Sequence, residues 1–274
     1  MAHRISALWR CIPSDLASRM DHCFGAALEK GNRLDPVYVF FRADDVAVPG
    51  ANFFRLMDLF TRYRAPLCLA VVPAWLTPSR WEELKRTGRK APPLWCWHQH
   101  GWRHVNHESQ GKKQEFGPAR TALQIRDDLI RGKQHLEALM GDSFYPVFTP
   151  PWNRCGQHTL CILKELKYKA VSRSIQSVPP PPDGLPDFSV RVDLHTRKGD
   201  QPLSGWEGLF SELGNALSQD LCGIMIHHRQ MNEAAFVFLE ILFQCLMKQR
   251  HVQIVHFMEL HAFHNKRSPV DKDC

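Results

Sequence analysis

The sequence predicts an α/β protein, a barrel of seven or eight parallel strands covered by helices in a single domain. Two observations carry this expectation. Short apolar runs without polar alternation recur along the chain, the pattern of strands buried on both faces, and segments with helical spacing of apolar residues lie between them. A third observation narrows it. No G-x-G-x-x-G follows the first apolar run, so an open, doubly wound sheet lacks its usual dinucleotide-binding support and stands second. The 274 residues suit one barrel without internal repeats.

The elements follow in order. Residues 14–30 read as a helix, with Leu16, Met20, Phe24 and Leu28 four apart. PVYVFF (36–41) is a first strand, ANFFRLMDLFTRY (51–63) a helix and APLCLAVVP (65–73) a second strand. Thr77-Pro78 starts a helix over 79–86, and PPLWCWH (92–98) is a third strand. The polar stretch 104–119 has no period and reads as a loop, with Lys112, Lys113 and Glu115 in a solvated turn. A helix over 121–140 stops at Gly141. YPVFTP (145–150), a helix over 157–166 and KAVSR (169–173) come next. The proline-rich 177–188 cannot extend a helix or a ladder. Beyond it lie FSVRVDL (188–194), a helix over 206–217, LCGIMIHH (221–228), a helix over 233–249 and a last strand, VQIVHFMEL (252–260). The expected organisation is an N-terminal helical extension (1–35), a barrel (36–262) and a disordered tail (263–274).

Composition excludes several classes. Hydrophobic residues at 44% and charged residues at 23% are those of a globular chain, and no apolar run is long enough to span a bilayer. The N-terminal residues lack an apolar core with a cleavage site. The nine cysteines are odd in number, form no C-x-x-C, and partly lie in apolar runs. They read as free thiols, and a cytoplasmic location is expected. The net charge of +7 is scattered rather than clustered, so no nucleic-acid partner is expected.

The reactive side chains fall at strand ends. Asp44 and Asp45 follow the first strand; His98, His100, His104 and His107 cluster at the third. Pro150, Pro151, Trp152, Asn153 and Arg154 follow the fourth, Asp193 and His195 the sixth, and His227 and His228 the seventh. In a parallel barrel these ends share one face, where active sites lie. One carboxylate and two imidazoles make a facial set for a divalent transition metal, leaving positions open for water and substrate. The second aspartate supplies a base, and His227 or His228 an acid, for metal-assisted hydrolysis of an amide or ester. Trp102 and Trp152 are placed to stack on a sugar ring. Trp95, Trp97 and Phe148 read as packing residues, as do His135, His158, His251, His261 and His264 on packing or solvated faces.

In this order, FRADD, HGWRH, PPWN and MIHH resemble the motifs of the NodB-like polysaccharide deacetylases (carbohydrate esterase family 4 and relatives) over about residues 36–260. The resemblance implies a distorted (β/α) barrel that removes acetyl groups from an N-acetylated sugar or polysaccharide precursor. It makes Asp44 the catalytic base, Asp45, His100 and His104 the metal ligands, and His227 the general acid with His228 beside it. Gly101 replaces a Ser or Thr of the family pattern. The implied cofactor is one divalent metal, zinc foremost, with cobalt, nickel, iron or manganese suited to the same ligands. Pro151, Trp152, Asn153, Trp102 and Asp193 are the substrate-binding candidates, Asp193 standing nearest to the family's Asp-Trp motif. The family's R-x-P-Y/W motif appears here as Thr149-Pro150-Pro151-Trp152, without the arginine that orients the catalytic aspartate; Arg42 and Arg154 are the candidates to replace it. Two other readings stay open: a metal amidohydrolase or esterase acting on a non-sugar, and a non-catalytic glycan-binding barrel.

Overall fold

The computed structural model describes residues 5–28, 36–89 and 91–267. Strands and helices alternate: α1 (Leu16–Leu28), β1 (Val37–Val46), α2 (Ala51–Arg62), β2 (Leu67–Val71), α3 (Pro78–Gly88), β3 (Trp95–His100), α4 (Ala122–Met140), β4 (Phe144–Thr149), α5 (Gln157–Glu165), β5 (Ala170–Val171), β6 (Val192–Asp193), α6 (Pro202–Leu217), β7 (Leu221–Ile226), α7 (Glu233–Met247), β8 (Val252–Ile254) and α8 (Phe257–Arg267). The sheet order is β5-β4-β3-β2-β1-β7-β6, with β8 on β1. Helical crossovers between parallel strands make this a distorted (β/α) barrel.

The chain divides into two compact units. Among the described residues, one holds those up to Asp44, Gly50–Leu67 and Val190–Val255; the other holds Asp45–Pro49, those within Cys68–Ser189 and those from His256 to Arg267. In the first, β1 pairs in parallel with β7 (Ala43 opposite Ile226) and with β8, and β6 pairs with β7. The N-terminal segment is built into this unit. Buried Trp9 donates its indole N–H to the Leu194 carbonyl, its own carbonyl accepts from Asn232, and α1 packs on α6 and α7. In the second, β3 pairs with β4 and β4 with β5, all parallel. A capping box between Thr121 and Gln124 starts α4. Its inner residues Ile125 and Leu129 join a core with Phe116, Phe148 and Leu163.

Three sequence expectations need correction. The run 188–194 gives a ladder of only two residues, because Phe188 N–H bonds the Val171 carbonyl whereas Arg191 N–H bonds that of Gly223. The expected last strand over 252–260 ends at Ile254. The Glu259 carboxylate accepts from His256 N–H at 2.9 Å and caps the start of α8. Helix α8 also continues through 263–267 of the expected tail. The rest of that tail and the expected extension's residues 1–4 and 29–35 lie outside the described residues.

Candidate metal centre

Strand β1 carries the acid pair at its end. Arg42 is fully buried and Asp44 is 3% exposed. Arg42 Nε donates to Asp44 Oδ1 and Nη2 to Oδ2, each at 2.8 Å. Residues two apart on a strand share a face, so the guanidinium fork lies beside the carboxylate without a turn in between. Arg42 thus supplies the bidentate clamp missing from the Thr149-Pro150-Pro151-Trp152 segment, whereas Arg154 donates to the Lys113 carbonyl at 3.5 Å. Asp45 has φ +60°, which interrupts the alternation that sends consecutive side chains to opposite faces.

Asp45, His100 and His104 offer ligand atoms within 4.8 Å of one another. His100 Nε2 lies 3.4 Å and His104 Nε2 3.2 Å from Asp45 Oδ1. Two ligand atoms each about 2.0–2.1 Å from a tetrahedral ion stand about 3.3–3.4 Å apart, so the three groups have the spacing of one shared ion. The tautomer fits as well. His100 Nδ1 lies 3.0 Å from the Thr149 carbonyl, which only accepts, so Nδ1 carries the proton and Nε2 keeps its lone pair. His104 reaches the cluster through a backbone at φ +59°. This donor set fits a divalent transition metal.

The segment between the histidines rests on Glu115, a residue whose sequence neighbours point to a solvated turn. Glu115 is fully buried. Its Oε1 accepts from Arg103 N–H at 2.6 Å and its Oε2 from Trp102 N–H at 3.2 Å. Burial raises the pKa of this carboxyl, and the backbone N–H groups and the nearby His100 oppose the rise. Gly101 (φ +61°) lies against it, and a Cβ there would overlap Glu115 Oε2 and come 2.6 Å from Pro151. The only sequence signal was an isolated acid in a polar loop, which says nothing about burial. Trp152 (φ +56°) and Asn153 (φ +60°) form a tight turn after Pro150. The Trp152 ring stands 4.6 Å and the Trp75 ring 5.7 Å from that of His104. Asp45, His100, His104, Pro151 and Trp152 are thus gathered within the second unit.

Other candidates go elsewhere. His98 is buried, with Nε2 3.0 Å from Thr149 Oγ1 and its ring on Phe257, and His107 is exposed. Trp102 packs against the core that contains Phe116 and Leu129. Asn153 accepts from Ser177 through its backbone. In the first unit, the Asp193 carboxylate accepts from His195 N–H, Thr196 N–H and the Thr196 hydroxyl, which builds the loop after β6. His228 is buried against Phe53, whereas His227 is partly exposed. His195 is buried under Trp9, and its Nδ1 accepts from His227 N–H at 3.1 Å. Burial, together with His227 and His228, holds its pKa well below the usual histidine range.

This fold is the one shared by the polysaccharide deacetylases and carbohydrate esterase family 4 proteins. A polysaccharide deacetylase from Mycobacterium smegmatis, described as putative, is 14% identical, with TM-score 0.63 over 89% of this chain and 97% of that one. The Puue allantoinase is 13% identical, with TM-score 0.61 over 85% and 92%. A family 4 pseudoenzyme from Bacillus anthracis is 12% identical, with TM-score 0.52 over 84% and 67%. No family model and no curated protein matches the sequence.

Proposed function

We propose that the protein is a metal-dependent hydrolase that removes acetyl groups from an N-acetylated sugar or polysaccharide precursor. The observation that carries this reading is the Asp45–His100–His104 cluster, whose 3.2 and 3.4 Å separations suit one ion. Those three residues would hold the metal, zinc foremost. When bound, such an ion polarises a carbonyl oxygen and lowers the pKa of water. Asp44, oriented by the Arg42 fork, takes the proton of the attacking water. His227, the more exposed of the two adjacent histidines, gives a proton to the departing amine nitrogen. Trp152 presents an aromatic face to the sugar. Trp102, Pro151, Asn153, Asp193 and His228 shape the walls and loops rather than react.

The fold likeness to an allantoinase supports a second reading, hydrolysis of a non-sugar amide. Likeness to a pseudoenzyme supports a third, glycan binding without turnover; the intact Arg42–Asp44 pair favours catalysis over it.

The test begins with metal content. The reading expects about one transition-metal ion per chain in the wild type and its loss in His100→Ala. Acetate release is then measured on N-acetylhexosamine oligomers beside small amides. Release from the sugars, abolished in Asp44→Asn with metal retained, supports the reading. Turnover confined to the small amides moves the assignment to the second reading. Glycan binding without turnover at any divalent metal moves it to the third.

A further inference from the structure

Glu115 has no part in the chemistry above, yet it is fully buried and ionisable. A buried carboxylate is costly unless it is hydrogen-bonded or paired. Here both oxygens accept backbone N–H bonds, from Arg103 at 2.6 Å and Trp102 at 3.2 Å, and these donors lie in the five-residue span that carries His100 and His104. Two consecutive amides, of Trp102 and Arg103, therefore converge on one side chain, a nest that fixes the path of the chain between the two imidazoles. Gly101 makes this possible, because any side chain at that position would occupy the space of Glu115 Oε2.

We propose that Glu115 is a positioning residue for the metal centre: its carboxyl group holds the Trp102–Arg103 backbone so that the imidazoles on either side meet one ion. The inference rests on the metal reading given under Proposed function. It explains the Gly101 departure from the family pattern as one half of a pair, a small residue giving way to a carboxylate from further along the same loop. Partners outside the ligand set that orient metal-binding histidines typically change affinity by about 10–100-fold when removed.

The test uses cobalt(II) as probe on the full chain, with affinity from titration and geometry from the visible ligand-field band. Glu115→Gln keeps the shape and removes the charge. It is expected to bind cobalt about 10–100-fold more weakly than the wild type, with an altered band. Gly101→Ala keeps the charge but displaces the carboxylate, and is expected to shift affinity in the same direction; it decides the matter if Glu115→Gln does not fold. Thermal unfolding of the metal-free proteins runs alongside, so that weakening is scored only in folded variants. Wild-type affinity and an unchanged band in a folded variant would overturn the positioning role while leaving the metal site in place. A folded wild type that takes up no cobalt would instead overturn the metal reading itself.

Discussion

Arg42 and Asp44 show what two residues of spacing achieve on a strand. The fork and the carboxylate lie on one face of β1, both buried, with paired bonds of 2.8 Å. Removing one member leaves the other charge buried without its counterion. Arg42→Met is therefore expected to cost about 3–5 kcal/mol in denaturant unfolding; a loss below about 1 kcal/mol would show that water relieves Asp44. Arg42→Lys keeps the charge but not the two-pronged geometry, and is expected to retain the fold with reduced turnover. His195 makes a prediction of opposite chemistry. Its folded pKa lies below the unfolded value of about 6.5, so the unfolded chain takes up the proton first. Its contribution to stability is complete above that value and is lost as pH falls through it towards the folded pKa. Stability of the wild type should therefore fall more steeply than that of His195→Asn between about pH 7 and 5. Parallel curves would count against a neutral buried imidazole.

Helix α4 and strand β3 set the element scale. Gln99 points away from His98 and His100, since consecutive strand residues take opposite faces. It donates to the Gly101 carbonyl at 3.0 Å and accepts from Tyr168 at 2.5 Å. Gly132 on α4 leaves room for this amide, and a Cβ there would overlap Gln99 Nε2. Glycine weakens a helix interior by roughly 1 kcal/mol relative to alanine, so Gly132→Ala would stabilise an isolated helix. Within the protein the overlap dominates, and the variant is expected to lose about 1–3 kcal/mol. A raised thermal midpoint would mean that Gln99 moves aside freely.

At the scale of the whole molecule, burial sorts the thiols. All eight described cysteines are free. Burial pushes Cys155 and Cys222 up to about 12, whereas Cys11 is exposed. Since the thiolate is the reactive form, native labelling at about pH 8 followed by mass mapping should modify Cys11 and spare Cys155 and Cys222 until the chain unfolds. Equal labelling of all three would show that the core opens readily. Among the described residues no helix is long and apolar enough to cross a membrane, in line with the composition.

The sequence alone determined the alternation of strands and helices, because runs such as LCLAV and FYPVFT can be buried only with neighbours on both sides. It also located the acids and imidazoles, because parallel strands present their C-terminal ends together and Asp45, His100 and His104 sit at two such ends. It named Arg42 as one of two replacements for the missing arginine but could not choose, since pairing depends on the strand face rather than on distance along the chain. Element ends were less legible where side chains outside the apolar pattern intervene, as Glu259 does in stopping β8 and starting α8. Tertiary structure alone decided that Glu115 is buried, that Trp102 packs into the core and that His98 stays out of the metal cluster. Burial of a polar group is a property of what surrounds it. An acid in the polar loop 104–119 reads as solvated until the amides of Trp102 and Arg103 close around it.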